Sequence, residues 1–254
     1  MQAESLLPWI VSVALLTVRL TVALALSPAM TAFGVPATTR VALTIALAAL
    51  TFANRSPAPD ASAWVAHPSG LIMPVITEAF IGALLGLGVH VVLAALALAG
   101  RLMDVQIGFA MGSIFDPVTH TSSNVIGSLM TLAGVTLFFV TDAHIELAQL
   151  IAGSLDVLPL GALPSMNDPM RPLLAAGAMF SLGLALAAPV VVALLLVDAT
   201  IAVTSRNMPQ VNVLILAMPV KIIVGYLVLA LTMQGWGPLL RHAFGAAVQS
   251  LGVR

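Results

Sequence analysis

Four ionisable residues stand inside stretches that are otherwise apolar, Arg19, Glu78, Asp198 and Lys221, and Asp104, Asp142 and His144 lie near the ends of such stretches. A charge in a hydrocarbon layer costs about 3 kcal/mol or more, so each must face an opposite charge, water or the protein interior. Two acids and two bases allow two pairs, and the pairing expected here is Arg19 with Glu78 and Asp198 with Lys221. Such pairs join helix to helix or subunit to subunit. The same residues could instead relay protons or ions, because ionisable groups inside a membrane are functional by default. Long basic side chains can also reach out to the interface unpaired.

Other chemistry finds little support in the residues. The histidines, His67, His90, His120, His144 and His242, are scattered, with no H-E-x-x-H pair on one helix face. A G-x-S-x-G nucleophile elbow and a G-x-x-x-x-G-K-[ST] phosphate loop are both missing. Gly112-Ser113 and Gly153-Ser154 are isolated pairs that read as close packing or helix ends. Cysteine is absent, which removes disulfides, thiolate metal sites and cysteine nucleophiles. The chain is therefore expected to be no enzyme and to need no cofactor or metal.

The elements that must position these charges follow from composition. Of the 254 residues, 60% are apolar and 7% charged, far from the soluble range. Lipid or other apolar protein must surround most of the surface. Nine Lys and Arg residues, spread singly at a net charge of −1, form no basic patch, so nucleic acid is not an expected partner.

A hydrocarbon core of about 30 Å needs roughly 20 helical residues to cross it, because the backbone must satisfy its own hydrogen bonds there. Six segments fit an all-α membrane protein: Leu6 to Leu26, Pro36 to Ala53, Leu71 to Ala99, Val125 to Thr141, Leu173 to Val197 and Val211 to Met233. The first carries Glu4 but no basic residue ahead of its apolar run, and Arg19 interrupts that run, so it reads as a membrane helix rather than a signal peptide. Pro189 is expected to bend the fifth. Gly82, Gly86 and Gly88 in the third permit close helix contact.

The connection Asn54 to Gly70 reads as exposed, and Asp156 to Pro172, with its prolines, as extended or turned. One domain, residues 1 to 254, is the expected organisation. With six spans, Arg55, Arg171, Arg241 and Arg254 fall on one side and Arg40, Arg101 and Arg206 on the other, a balance that sets no orientation.

Two segments carry more than composition. "RLMDVQIGFAMGSIFDPVTHTSS", Arg101 to Ser123, resembles the central signature of the FliR/SctT family, in which an acidic residue and Gln-x-Gly precede a small, apolar stretch ending in Asp-Pro. "SRNMPQVNVLILAMPVKIIVG", Ser205 to Gly225, is similar to that family's Arg-x-x-Pro-Gln-x-Asn-Val signature followed by Pro-x-Lys. Glu78 opening a Gly-rich helix, His144 after the fourth span, Leu158-Pro159 and "AAPVVVALLLVD", Ala187 to Asp198, occur in the order the family has them.

The resemblance implies a helical subunit of the export gate in the bacterial inner membrane, within a flagellar basal body or secretion apparatus. Its implied partners are FliP-like and FliQ-like subunits, FlhB-like and FlhA-like export proteins, and unfolded proteins in transit. It also implies a position largely above the membrane plane, a pore plug at about Gly108 to Ser123, and no chemistry of the subunit's own. The residues agree with a plug: Gly108, Gly112 and the Asp116-Pro117 pair interrupt helix and leave a bendable loop carrying Phe109, Met111, Ile114 and Phe115. Met111 and Phe115 are the expected seals, since methionine adapts its shape and aromatic rings exclude water. The alternative is a buried re-entrant turn that gates nothing.

In the second signature Pro209 suits a helix's first turn, with Asn207 or Met208 just outside it, and Arg206 offers a planar fork to a carboxylate or to carbonyls. Arg206, Gln210 and Asn212, together with Glu78, Asp104, Gln106, Asp198 and Lys221, form the expected set of subunit-interface or buried polar residues. Local capping is the other reading of Arg206, Gln210 and Asn212. Asp116 to His120 and the stretch from His144 to Gly161 resemble the flagellar branch, whereas Ala143 stands where a flagellar protein would often have Gly and "LAMPVK" resembles the virulence-associated SctT branch. The flagellar branch is the reading adopted; a virulence-type subunit, or a proton-coupled solute transporter using Glu78, Asp198 and Lys221, is the alternative.

Overall fold

The computed structural model describes residues 3–25, 34–53, 55–109, 124–162, 170–207 and 213–250, and these contain helices and turns but no strand. In chain order the helices are α1 (Ala3–Ala25), α2 (Ala37–Phe52), α3 (Ala61–Ala66), α4 (Ile72–Ile107), α5 (Val125–Val140), α6 (Ala143–Val157), α7 (Met170–Asn207), α8 (Val213–Met233) and α9 (Trp236–Ser250), with a 3₁₀ turn at Pro68–Leu71. Each of the six apolar segments expected to be helical is helical over its described residues apart from single residues at some ends, as α1, α2, α4, α5, α7 and α8.

Their lengths depart from the single-bilayer expectation in both directions. α2 and α5 have 16 residues each, or about 24 Å at roughly 1.5 Å per residue, short of a hydrocarbon core. α4 has 36 residues and α7 has 38, or more than about 50 Å each, longer than a whole bilayer. Both continue past the charge that follows the apolar run, Arg101 in α4 and Asp198 in α7. A charge ends an apolar run without ending a helix: arginine is a good helix former, and the weaker propensity of aspartate costs less than about 1 kcal/mol. α7 also runs unbroken through Pro189.

Among the described residues, three helices are long and apolar enough to cross a membrane, Leu6–Ala25, Pro68–Ile107 and Gly177–Arg206. Counting each bent pair as one span gives up to five: α5 with α6, bent by 66°, and Ala217–Met233 with Trp236–Ala246, bent by 63°. The first bend sits at Asp142, whose φ of 58° is left-handed, a conformation that aspartate adopts more readily than most residues. Many large apolar side chains remain exposed on the single chain, among them Leu196, Ile223 and Leu231, each more than 60% exposed. Apolar surface on that scale belongs against lipid or another protein, and the chain is a helical membrane protein.

The chain divides into two compact units, Met1–Val91 with Phe138–Ala176 and Phe244–Arg254, and Val92–Leu137 with Gly177–Ala243. The core of the first includes Leu15, Leu16 and Leu20 of α1, Ile81, Leu85 and Val89 of α4, and Leu147 and Ile151 of α6. In the second, Leu96, Ala99, Met103 and Ile107 of α4 are buried together with Ile126 and Met130 of α5 and Val190 and Leu194 of α7. The connection at 55–70, expected to be exposed, is partly built into the first unit: Ala58 and Ala61 are buried, and the Ala58 N–H donates to Ser12 Oγ at 3.0 Å.

Small residues set the closest approaches within each unit, as in other membrane helix pairs. A Cβ on Gly82 of α4 would stand 2.4 Å from the Arg19 carbonyl oxygen of α1, and one on Gly100 would stand 2.5 Å from the Gly127 Cα of α5. Neither neighbour can retreat, because each is backbone. We expect Gly82→Val to lower the thermal midpoint of the protein in mild detergent by the equivalent of about 1–3 kcal/mol. Gly153→Ala, where nothing lies within 4 Å of the added carbon, is expected to leave it unchanged or slightly raised. Equal midpoints for the two variants would contradict the close α1–α4 contact.

Candidate functional site

The first unit is organised around a charge pair with no access to solvent. Arg19 of α1 donates from Nε to Glu78 Oε2 of α4 at 2.6 Å and from Nη2 to Oε1 at 3.1 Å, and both side chains are 0% exposed. Arg19 Nη1 donates to Ser154 Oγ of α6 at 2.8 Å, and Nη2 donates to the Leu158 carbonyl at 3.0 Å. The Gly161 N–H donates to Glu78 Oε1 at 2.9 Å. The planar guanidinium is suited to this fork on a carboxylate, and its remaining donors tie down the end of α6 and the turn that follows. Ser154 passes its own proton to the Ile151 carbonyl at 2.6 Å. With its oxygen held between Arg19 and a carbonyl, this serine is a link in the network.

The second unit contains two polar groupings on the last turn of α4. Asp104, 3% exposed, accepts the Ile126 N–H at Oδ1 and the Gly127 N–H at Oδ2, both at 2.9 Å. Helix starts leave backbone N–H groups without intrahelical partners and favour negative charge, so a carboxylate from α4 caps α5. Two residues on, Gln106 Nε2 donates to Asp198 Oδ2 at 3.1 Å, while Lys221 Nζ meets Asp198 Oδ1 at 2.5 Å and donates to the Gln106 carbonyl at 3.3 Å.

Both charge pairs expected from the sequence therefore form, but they differ in burial. Glu78 and Asp104 are buried, whereas the side chains of Asp198 and Lys221 are 38% and 18% exposed. Arg206, in the last turn of α7, is exposed on the single chain. Helix ends reach beyond the packed core, so polar residues placed there stay partly open until something else covers them.

Of the expected plug, Gly108 and Phe109 are described. α4 stops at Gly108, whose φ of 103° is open to glycine and strained for other residues; Phe109 is half-buried. Met111, Gly112, Ile114, Phe115, Asp116 and Pro117 lie outside the described residues, as do Gln210 and Asn212 and the expected helix start at Pro209.

Several polar contacts had no signal in the sequence. Glu78 draws on the Gly161 backbone, and Arg19 on a serine and a carbonyl, groups too common to single out. Arg55 and Asp156, far apart in the chain, pair at the surface at 2.6 Å. The Asp156 hydrogen bond raises the Arg55 pKa against the opposing effect of burial. His144 lies with its ring 5.1 Å from that of Phe139 and 6.2 Å from that of Phe138. Its Nδ1 is buried without a hydrogen-bond partner among the described residues, and no group of metal ligands occurs among them.

Long apolar helices, charges paired with each other or spent on helix ends, and a polar cluster at the base of the 108–124 connection define a helical membrane protein built for packing and assembly. The family model described as "Bacterial export proteins, family 1" matches residues 10–247, and the chain belongs to that family. It is 30% identical over 171 residues to the flagellar biosynthetic protein FliR of Pectobacterium carotovorum subsp. carotovorum, covering 67% of this chain and 66% of that protein. Over 221 residues it is 28% identical to the Bacillus subtilis protein of the same name, covering 85% and 84%. It is also 28% identical over 164 residues to the Yop proteins translocation protein T of Yersinia pestis, covering 63% of each. The matches to the Pectobacterium and Yersinia relatives thus span just under two thirds of those proteins.

Removing one member of the Arg19–Glu78 pair leaves an uncompensated buried charge. Arg19→Met or Glu78→Gln is expected to destabilise the purified protein by about 3–5 kcal/mol. Arg19→Met combined with Glu78→Met should recover part of that loss, because no charge stays buried. Recovery should be incomplete, since the Leu158 carbonyl and Gly161 N–H lose their partners. Thermal unfolding in detergent followed by protease resistance measures all three; a double variant no better than the singles would refute the charge argument.

Proposed function

We propose that the chain is a pore component of a flagellar-type protein export gate, a type III system in the bacterial inner membrane. It passes unfolded export substrates and acts as conduit and closure, not as an enzyme. The observation that carries this reading is the match to a bacterial export family over nearly the whole chain, with relatives named for flagellar biosynthesis and for Yop translocation. A virulence-type subunit of the same design fits the Yersinia relative; the longest-covering relative named above is flagellar. The geometry is compatible with a position largely above the membrane plane: α4 and α7 exceed a bilayer's thickness, and much of α7 is left apolar and uncovered, as a surface awaiting neighbours would be.

In this reading FliP-like and FliQ-like subunits cover that surface, FlhB-like and FlhA-like proteins couple the gate to energy and substrate choice, and residues 108 to 123 plug the pore with Phe109, Met111, Ile114 and Phe115 as its apolar contacts. Glu78, Asp104, Gln106, Asp198 and Lys221 hold the subunit together, and Arg206, Gln210 and Asn212 serve subunit contacts. One observation favours a second reading, a proton-coupled transporter: the half-exposed Asp198–Lys221 pair. Substrate-dependent uptake or current by the isolated chain in liposomes would support it.

Co-expression of the tagged chain with FliP-like and FliQ-like subunits, followed by native mass spectrometry, is expected to yield a discrete hetero-oligomer, and Arg206→Ala or Gln210→Ala is expected to lower its yield. A monomer or homo-oligomer indifferent to those partners would overturn the export-gate reading. Deletion of residues 108 to 115 is expected to make the assembled gate leak ions, and a tight membrane would remove the sealing role.

A further inference from the structure

In the first unit, α1 and α2 enclose a groove of about 170 Å³ that the buried charge network does not use. Its walls include Leu24 of α1 and Ala37, Val41 and Leu43 of α2, and Val41 and Leu43 are 48% and 42% exposed. Two threonines also line it, and both hydroxyl protons are spent. Thr21 Oγ1 donates to Thr44 Oγ1 at 3.3 Å, and Thr44 Oγ1 donates to the Val41 carbonyl at 2.9 Å. The groove therefore offers an occupant no hydroxyl donor, and its aliphatic walls favour hydrocarbon.

Arg40 lines the same groove and brings a charge without a counterpart. It is the sole charged residue from 20 to 54, and among the described residues no carboxylate pairs with it. Its Nε donates to the Val35 carbonyl at 2.9 Å. That bond fixes the plane of the guanidinium and leaves the Nη1 and Nη2 donors for something else. α2 starts with no side-chain cap and no acidic residue in its first turn, and a helix start favours negative charge. A half-buried guanidinium beside an apolar wall needs an anion or water. One molecule satisfies both the wall and the charge if it is an anion that carries a hydrocarbon chain.

A phospholipid has that chemistry. Its phosphate presents two oxygens to planar paired donors, and lipid thins around a helix shorter than the hydrocarbon core, which brings headgroups toward the end of a helix such as α2. No carboxylate is among the groove's lining residues to take up the ammonium of a zwitterionic headgroup, so a net-anionic headgroup is the better match. We propose that the groove binds one anionic phospholipid, with an acyl chain between α1 and α2 and the headgroup phosphate on Arg40. The site goes beyond the export-gate reading and does not depend on it.

The test uses the full chain purified in mild detergent, mixed with phosphatidylglycerol or phosphatidylcholine of the same acyl composition, with retained lipid counted by native mass spectrometry. One phosphatidylglycerol is expected to be held about tenfold more strongly than phosphatidylcholine, the scale of a charge-assisted hydrogen bond. Arg40→Gln is expected to abolish the preference, and Arg40→Lys, which keeps the charge, to retain most of it. Ala37→Trp keeps Arg40 but fills the groove, and is expected to lower retention of both lipids. Inorganic phosphate, the headgroup chemistry without a chain, is expected to displace nothing.

Equal retention of the two lipids, or a preference that survives Arg40→Gln, would overturn the proposal. Displacement of phosphatidylglycerol by inorganic phosphate would reduce the site to one for free anions and overturn the lipid. Undiminished retention in Ala37→Trp would put the chain outside the groove and overturn the assignment. A thermal midpoint for Arg40→Gln equal to that of the unaltered chain separates lost binding from lost folding. If that variant does not fold, Ala37→Trp and Arg40→Lys decide.

Discussion

Without water around most of the surface, a polar group must find its partner inside the protein, and this constraint accounts for the placement of nearly every charge described above. An apolar helix satisfies its own backbone except at its two ends. Those ends and the ionisable side chains are the remaining debt, and the fold sets one against the other. Asp104 meets the unpaired N–H groups of α5, Lys221 meets a carbonyl at the end of α4, and Arg19 meets the Leu158 carbonyl just past α6. Charges and helix ends cancel locally, so few polar atoms are left over; His144 Nδ1 is a buried exception among the described residues.

This constraint also explains what could be read from the sequence. Six apolar runs became helices because an apolar run in lipid has no alternative to internal hydrogen bonding. The pairs Arg19–Glu78 and Asp198–Lys221 were accessible because so few charges sit inside those runs that the combinations are nearly exhausted. Helix ends were less accessible: α4 continues past Arg101 and α7 past Asp198, since the cost of a charge depends on depth in the membrane and not on helix continuity. α9 escaped notice although Trp236, Leu240 and Phe244, spaced by four, are all buried, because its face is too narrow to register as an apolar run.

The contrast between the two ion pairs follows from what lies on the same helix stripe. Arg19 falls between Leu15, Leu16 and Ala23, with apolar residues before and after it on a fully packed face. Asp198 stands four residues after Leu194 and prolongs the buried stripe of Ala187, Val190 and Leu194 beyond its last apolar member. The first position has core on both sides and the second on one. A residue's types and neighbours name its partner, whereas its burial depends on how far the surrounding elements extend, which no local pattern records.

Equal chemistry can therefore serve unequal purposes. A cation and a carboxylate enclosed on all sides, with every strong acceptor engaged, lock α1, α4 and the end of α6 together, since either member alone would be stranded. The same two charge types at the margin of a packed stripe contribute less to stability and leave an alternative state within reach, because water or another protein can take over either partner. The first kind belongs in a packed core and the second at its margin. Arg19–Glu78 and Asp198–Lys221 occupy those places.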